Sequence, residues 1–479
     1  MNPKHYARRI FLQKSALAIG AAALPKWAAF AATSTQYTRV EWQNFKNTSH
    51  YSSLLNAISA MRANTNASDK NSWSYWSNAH YNYCPHGIPY FLAWHRGFLY
   101  YFEKQLRTIS GDSNLVLPYW DYYSYAQMPA EFTDSSTGNP LYVSRVNTDV
   151  YNALTMAPFA STIINFPNGS SNAFEPTYES APHDPVHDII GGVMGSMHSP
   201  SDPIFWLHHC NTDRLWVAWF AAGGGRNMPS KTSSYWNGSF TYSSIQSIQR
   251  RYTYDTTTNL YYTYDNKYMP TGLPPTVQRE PHIIRVQASS VGTPALPPIV
   301  NFQQNAAHNT SDSTYSLGGV LNVGLDEHSI SAQLPISSES SKVIQTIASG
   351  NSASVAGSAT QYKSVLIVLD DLQMTPSGAQ GGYYYKIYLN LPPAGDTAAP
   401  AEAQLIGTLG PFKISGAAHH GDRPMLRYVI TKTLVGLSAS QIASLTLSFI
   451  RINGKNSPQG PAIGIGEARV ELTTEDVQS

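Results

Sequence analysis

Residues 183–216 read HDPVHDIIGGVMGSMHSPSDPIFWLHHCNTDRLW. The stretch holds five histidines and Cys210, the second of the chain's two cysteines. Asp202-Pro203 is a helix-start signal, an N-cap aspartate followed by proline at the first helical position. The chain then stays apolar through Phe220 and meets Gly223-Gly224-Gly225, a stop signal. Phe205, Trp206, Leu207, Leu215, Trp216, Val217 and Trp219 fall on all sides of the predicted helix, so it is expected to be buried. Two adjacent histidines inside such a helix, His208 and His209, need partners, because a buried imidazole without one is costly. Upstream, His183 and His187 are four residues apart and share one face of a helical turn. Pro185 is tolerated if that helix begins there, and Gly191-Gly192 ends it.

A pair of histidines four apart is a weak metal signal by itself. Its meaning comes from residues 73–107, WSYWSNAHYNYCPHGIPYFLAWHRGFLYYFEKQLR. Here Pro89 opens a predicted helix on which His95, Leu99, Phe102 and Leu106 share the inward face. Glu103 and Lys104 are expected towards its edge. His80 and His86 precede it. Of 15 histidines, eight lie between His80 and His209. They form two groups: His80, His86 and His95, then His183, His187, His208 and His209, with His198 in a loop between. Neither group brings the cysteine pairs of a structural zinc site. Imidazole-only ligation suits copper, and also zinc or nickel. Two three-histidine sets, each on a helix pair, suggest two metals facing each other inside a four-helix bundle.

The chain has 479 residues, enough for two domains or more. Its net charge of +1 and the lack of a basic stripe argue against nucleic acid as a partner. Two cysteines exclude a disulfide scaffold. At the N-terminus, Arg8-Arg9-Ile10-Phe11-Leu12 precedes the apolar run Ala16 to Leu24 and the small-residue site Ala29-Phe30-Ala31. Residues 1–31 therefore read as a twin-arginine export signal. The apolar run is too short for a membrane anchor, so a periplasmic or extracellular protein beginning near Ala32 is expected.

Residues 36–270 read as one mainly helical domain. Leu54, Leu55, Ile58 and Met61 recur at helical spacing, and long loops are expected between Asp121 and Pro182. All ten tryptophans lie at or before Trp236. A proline-rich connector, 271–299, follows. Strand-like runs then appear at Ser364–Leu369, Tyr383–Leu391, Leu405–Ile414, Leu426–Thr431 and Leu445–Ile452, so residues 300–479 are expected to form an antiparallel β-sandwich.

His86-x4-Phe91-Leu92-x-Trp94-His95-Arg96-x2-Leu99-x3-Glu103 resembles the first copper signature of the tyrosinase and polyphenol oxidase family. Asp202-Pro203-x-Phe205-Trp206-x2-His209-x3-Asp213 resembles the second. The resemblance covers about residues 37–270. It implies a four-helix bundle holding a type-3 pair of coppers, with O2 as co-substrate and small phenols as substrates. One copper would be held by His80, His86 and His95, the other by His183, His187 and His209. His208 lies about 100° round the helix from His209, so it is expected to hydrogen-bond backbone or a carboxylate instead.

The same resemblance implies further roles. Cys84 stands two before His86, where fungal relatives form a thioether between sulfur and the imidazole; a buried free thiol is the other reading. A glutamate is expected to hold a water near the second copper, Glu179 by the plant pattern or Glu175 by the bacterial one. Many tyrosinases have asparagine directly after the first ligand of the second copper; here it is Asp184, and Asp188 follows His187. These two carboxylates are expected near the mouth, with Asp184 as catalytic partner of the water. Met197 takes the position of the substrate gate. Independently of the resemblance, Arg96 and Glu103 lie near one another on the predicted helix and are read as a structural ion pair. Tyr262-x-Tyr264 resembles the motif closing the family's catalytic domain, with Arg39 as partner. The β domain resembles the family's shielding domain, with Phe412 in Gly410-Pro411-Phe412 as the plug.

The reaction read from this resemblance is oxidation of o-diphenols to o-quinones, with hydroxylation of monophenols. A catechol oxidase lacking hydroxylation and a haemocyanin-like oxygen carrier are the alternatives. A metal hydrolase would want carboxylate ligands, and none fits the spacing. The oligomeric state is not legible.

Overall fold

A computed structural model describes residues 36–275, 294–392, 404–419 and 423–477. The export signal, residues 276–293 of the connector, His282 and His420 lie outside the described residues. Among the described residues, no helix is long and apolar enough to cross a membrane.

The first half is mostly helical. Strand β1 (Tyr37–Arg39) leads into α1 (Trp42–Phe45), α2 (His50–Ala63), α3 (Trp73–Tyr83), α4 (Phe91–Ser110), α5 (Ala130–Thr133), α6 (Phe174–Tyr178), α7 (Asp184–Ile190) and α8 (Ile204–Ala221). A hairpin, β2 (Ser239–Ser243) and β3 (Gln246–Gln249), and β4 (Tyr262–Tyr264) complete it. Between Asp121 and Pro182 only short helical turns interrupt the loops.

Helix α8 is buried nearly all round, as its apolar sequence requires. It starts at Ile204, whose N–H is accepted by Asp202 Oδ1 at 3.0 Å. Phe102 of α4 stacks on Trp206 of α8 at 3.4 Å and 12°, which locks together the two helices that carry His95 and His209. Helix α4 stops at Gly111, left-handed at φ 71°, a conformation that glycine adopts without strain. At Gly97 of α4, the Tyr242 hydroxyl fills the space a Cβ would need and donates to the Trp94 carbonyl at 3.0 Å.

The two ends of this half are tied. β1 pairs with β4 in parallel. The Arg39 guanidinium lies 3.8 Å over the Tyr262 ring and donates to the Tyr264 hydroxyl at 3.0 Å. Asp213 accepts both tyrosine hydroxyls at 2.6 Å, and Arg96 Nε at 2.6 Å. The expected Arg96–Glu103 pair is therefore wrong. Glu103 pairs with Arg39 at 2.8 Å and with Arg107. It is also buried, not at the helix edge, because an arginine from the distant strand β1 neutralises it; helical periodicity could not reveal that partner.

The second half is sheet-rich. Its elements are β5 (Ile299–Val300), β6 (Gln303–Asn305), β7 (His308–Asn309), β8 (Thr314–Leu325), β9 (Ile330–Gln333), α9 (Ser338–Ala348), β10 (Ser364–Met374) and β11 (Tyr383–Leu389). Then come β12 (Leu405–Leu409), α10 (Pro411–His419), β13 (Leu426–Val429), α11 (Ala439–Ala443), β14 (Thr446–Asn453) and β15 (Ile463–Thr473). One sheet has the order β13-β10-β15-β8-β6, with β7 also on β8; the other is β12-β11-β14-β9-β5. All these pairings are antiparallel except β5 with β9. Alternating residues of both sheets, such as Val365, Ile367 and Val470 from one and Tyr385, Ile387 and Phe449 from the other, share one apolar core. This core is separate from that of the helical half.

The expected strand Leu405–Ile414 is corrected. The strand ends at Leu409, and helix α10 begins at Pro411. Proline has no N–H for a ladder but suits a first helical position. The apolar run hid that switch.

Candidate metal centre

Helix α3 supplies His80, the loop after it Cys84 and His86, and α4 His95. His183 directly precedes α7, His187 lies on it, and His209 lies on α8. Three Nδ1 atoms sit 2.8 Å from backbone carbonyls: His80 at Met197, His95 at Phe91 and His187 at Met194. A carbonyl only accepts, so each of these rings carries its proton on Nδ1 and presents a bare Nε2. His183 Nδ1 is 2.9 Å from Asp184 Oδ1, and His86 Nδ1 is 3.3 Å from Glu179 Oε1.

The Nε2 atoms converge. His80 and His86 approach to 3.5 Å; His209 approaches His183 to 3.3 Å and His187 to 3.4 Å. Burial, with neighbouring imidazoles adding to it for most rings, pushes all six below the usual histidine range, His86 to about 4. Neutral rings, five of them with Nδ1 against a carbonyl or carboxylate and only His209 Nδ1 without a partner, leave lone pairs facing lone pairs in a buried space. A cation resolves that arrangement, and carbonyl or carboxylate partners on the far nitrogen are how metal-binding imidazoles are oriented. The ligand atoms of His80, Cys84, His86 and His95 lie within 4.8 Å of one another, as do those of His183, His187, His208 and His209. The groups face each other: the rings of His95 and His209 stack at 4.2 Å and 20°. These two groups fit a pair of copper ions, soft enough for imidazole and with no carboxylate required.

Other expected residues are placed as follows. His208 is fully buried, but neither ring nitrogen has the expected hydrogen-bond partner. Its ring stacks on His183 at 5.1 Å and 23°, and burial takes it to about 3. The helix's own hydrogen-bond ladder takes up the nearby carbonyls, one of which, its own, also accepts from Thr212. Cys84 Sγ lies 3.4 Å from His95 Nε2, and burial raises its thiol well above the usual range. Glu175 is engaged away from the histidines by the N–H groups of Leu92 (3.1 Å) and Asn168 (3.0 Å). Glu179 instead accepts the Gly87 N–H at 2.8 Å beside His86. Burial, with Asp184's charge next, raises Glu179 to about 8. His198 is exposed and stacks on Tyr81 at 4.4 Å and 3°.

Asp184 and Asp188 are not at an open mouth. Both are buried, because α10 covers them. The Phe412 ring stacks on His187 at 4.0 Å and 14°. The Phe412 N–H donates to Asp188 Oδ1 at 2.7 Å, Gly410 sits where a Cβ would strike that carboxylate, and Lys413 Nζ lies 3.9 Å from Asp184 Oδ2. Met197 is also beneath α10: its N–H donates to Ser415 Oγ at 3.3 Å and its side chain is buried. Sequence reading missed Gly410, Lys413 and the carbonyls of Phe91, Met194 and Met197. A backbone carbonyl has no residue signature.

The family description "Common central domain of tyrosinase" matches residues 53–166 and 133–222. That span contains both histidine groups. Residues 53–222 are thus similar to the central domain of tyrosinases. A tyrosinase of Hahella sp. is 35% identical over 184 residues, covering 31% of this chain and 40% of that protein. A tyrosinase of Streptomyces antibioticus is 28% identical over 227 residues, covering 36% of this chain and 80% of its own. A haemocyanin of Enteroctopus dofleini is 29% identical over 178 residues, 31% of this chain and 6% of that protein. Latent apple tyrosinase shares the fold across 92% of this chain and 97% of its own, with TM-score 0.51 and 18% identity. The tyrosinase-like domain is followed, here as in that fold, by a sheet-rich C-terminal half.

Proposed function

We propose that the protein is an exported, copper-dependent polyphenol oxidase that uses O2 to oxidise o-diphenols to o-quinones and to hydroxylate monophenols. The observation carrying this reading is the convergence of imidazole Nε2 atoms in two facing groups, with the Nδ1 atoms of His80, His95 and His187 held on carbonyls. His80, His86 and His95 hold one copper; His183, His187 and His209 hold the other. When bound, the copper pair supplies O2 activation and a two-electron oxidation. The chain's residues do the rest. Met197, Phe91 and Met194 carbonyls fix the ring orientations. Asp184 orients His183, and Glu179 orients His86. Phe205, 4.1 Å from His209, helps exclude water. Glu179, raised to about 8 by burial, accepts the phenolic proton on its carboxylate. Met197 borders the substrate's path once α10 withdraws.

The helices carrying the histidines form the four-helix bundle, the two sheets of the C-terminal half form a sandwich, and that half shields the site, with Phe412 as its plug. Cys84 bonds His86 once copper and O2 are present, a reading supported by the Cys84 sulfur and a His86 ring nitrogen lying within 4.8 Å. A carrier reading is favoured by one observation, the covering of the histidines by α10. Copper analysis of the purified chain, followed by catechol and monophenol turnover before and after cleavage of the connector, tests both. Two coppers with quinone formation supports the oxidase. Reversible O2 uptake without turnover, even after cleavage, supports the carrier. Quinone from diphenols alone reduces the reading to catechol oxidase.

A further inference from the structure

We propose that this site selects phenols bearing an ammonium group, and that Phe412 and Lys413 stand in for such a substrate while α10 is docked. The inference rests on the oxidase reading and names its substrate class.

Phe412 fills the space over the histidines. Its centroid is 4.0 Å from that of His187, 5.1 Å from His86 and 5.7 Å from His183. The next residue, Lys413, brings a cation to the Asp184 side of the site, 5.3 Å over the Tyr428 ring. Its Nζ faces Asp184 Oδ2 at 3.9 Å, long for a hydrogen bond but close for charge attraction. Asp184 does not stand alone. Oxygens of Asp184 and Glu179 and a ring nitrogen of His86 all lie within 4.8 Å of one another. The two carboxylates therefore stand directly behind two of the imidazoles on which the ring rests. A ring followed by a cation, presented to a histidine floor and an acidic wall, is the chemical outline of an arylalkylamine. A phenol with its own carboxylate would meet the Asp184 carboxylate in a buried setting, where like charges repel most strongly. A neutral phenol would gain only the ring contact.

The competing account is that Asp184 and Glu179 only position His183 and His86. That role leaves binding by the metal-free chain indifferent to ligand charge. The test is the full chain carrying Phe412→Ala and Lys413→Ala, metal-free, titrated with 2-phenylethylamine, 2-phenylethanol and phenylacetate. None of the three has a phenol to oxidise. The amine should refill the vacated space about tenfold more tightly than the alcohol or the acid, and adding Asp184→Asn should erase the difference. Equal binding of amine and alcohol, tighter binding of the acid, or an unchanged preference with Asp184→Asn overturns the proposal. Circular dichroism checks that the variant folds. If it does not, kcat/KM of the copper-loaded wild type for the 4-hydroxyphenyl counterparts of the same three molecules decides, with the amine expected ahead by the same factor and parity overturning the proposal. A chain that binds the amine but oxidises nothing fails as an oxidase and keeps this inference. One that oxidises all three equally does the reverse.

Discussion

The backbone N–H of Phe412 donates to Asp188 Oδ1 across 2.7 Å, tying the first turn of α10 to the residue that follows His187. The covering helix is thereby attached to the helix that carries one of the histidines, and the bond should govern how often the site opens. Losing a buried partner costs about 1–3 kcal/mol. Asp188→Ala and Gly410→Ala, the latter crowding the same carboxylate, should each raise kcat/KM for bulky diphenols by about five- to a hundredfold. Copper content is measured first, so that a lost metal is not mistaken for a closed lid. Unchanged kinetics in both copper-replete variants would mean that α10 does not limit access.

His208 and His209 should separate cleanly. His209 Nε2 lies at the meeting point of His183 and His187, so His209→Ala should retain one copper of two and lose all turnover. Neither nitrogen of His208 has a partner. An unsatisfied buried polar group is replaced by an apolar one at little cost, so His208→Leu should keep both coppers and gain about 1 kcal/mol of stability. Metal analysis and denaturant melts read both outcomes. Two coppers in His209→Ala would refute the ligand assignment.

The metal-free chain should weaken as it is acidified. Seven histidines, the six of the site and His208, are held by burial below the ordinary imidazole value of about 6.5. Below that value the unfolded chain takes up protons that the folded chain refuses. Stability is therefore fully present above about pH 7 and is lost as pH falls towards the folded values, about 4 for His86. Each such histidine contributes a slope of up to about 1.4 kcal/mol per pH unit. Urea melts of metal-free protein from pH 7.5 to 5 should show a steep loss, shallower by one histidine's share in His208→Leu. A flat profile would show that the rings are protonated in the folded state.

Cys84 should change its covalent state only with copper present. Burial keeps its thiol neutral and unreactive in the metal-free chain. Joining its sulfur to a ring carbon of His86 removes two hydrogens, and O2 takes both as hydrogen peroxide. Peptide mass spectrometry should find the Cys84–His86 peptide two hydrogens lighter after copper loading in air, a mass change fixed by that loss, and unmodified without copper. A Cys84 that remains freely alkylatable in active, copper-replete protein excludes the bond.

Much of the site was legible because its histidines sit on patterns with a physical period. His183 and His187 share a helical face, His95 lies in register with Leu99 and Phe102, and the apolar circumference of α8 required a buried His209. What stayed hidden lay in long-range partners. Nothing local to Glu103 points to Arg39, 64 residues away. Nothing in His80 points to the carbonyl of Met197, 117 residues on. The strand-like run through Ile414 concealed a helix start at Pro411, and with it the cover that turned Asp184 and Asp188 from rim residues into buried ones.

Because α10 roofs the histidines, the residence time of an ion seated there should be set by lid opening as much as by its bonds to imidazole. Chelators would then extract metal at a rate that levels off with chelator concentration, the plateau being the lifting of Phe412 from His187. Loading faces the same doorway in reverse. The carbonyl that orients His80 belongs to Met197, 117 residues along the chain, so that ring is oriented only once the helical half has folded.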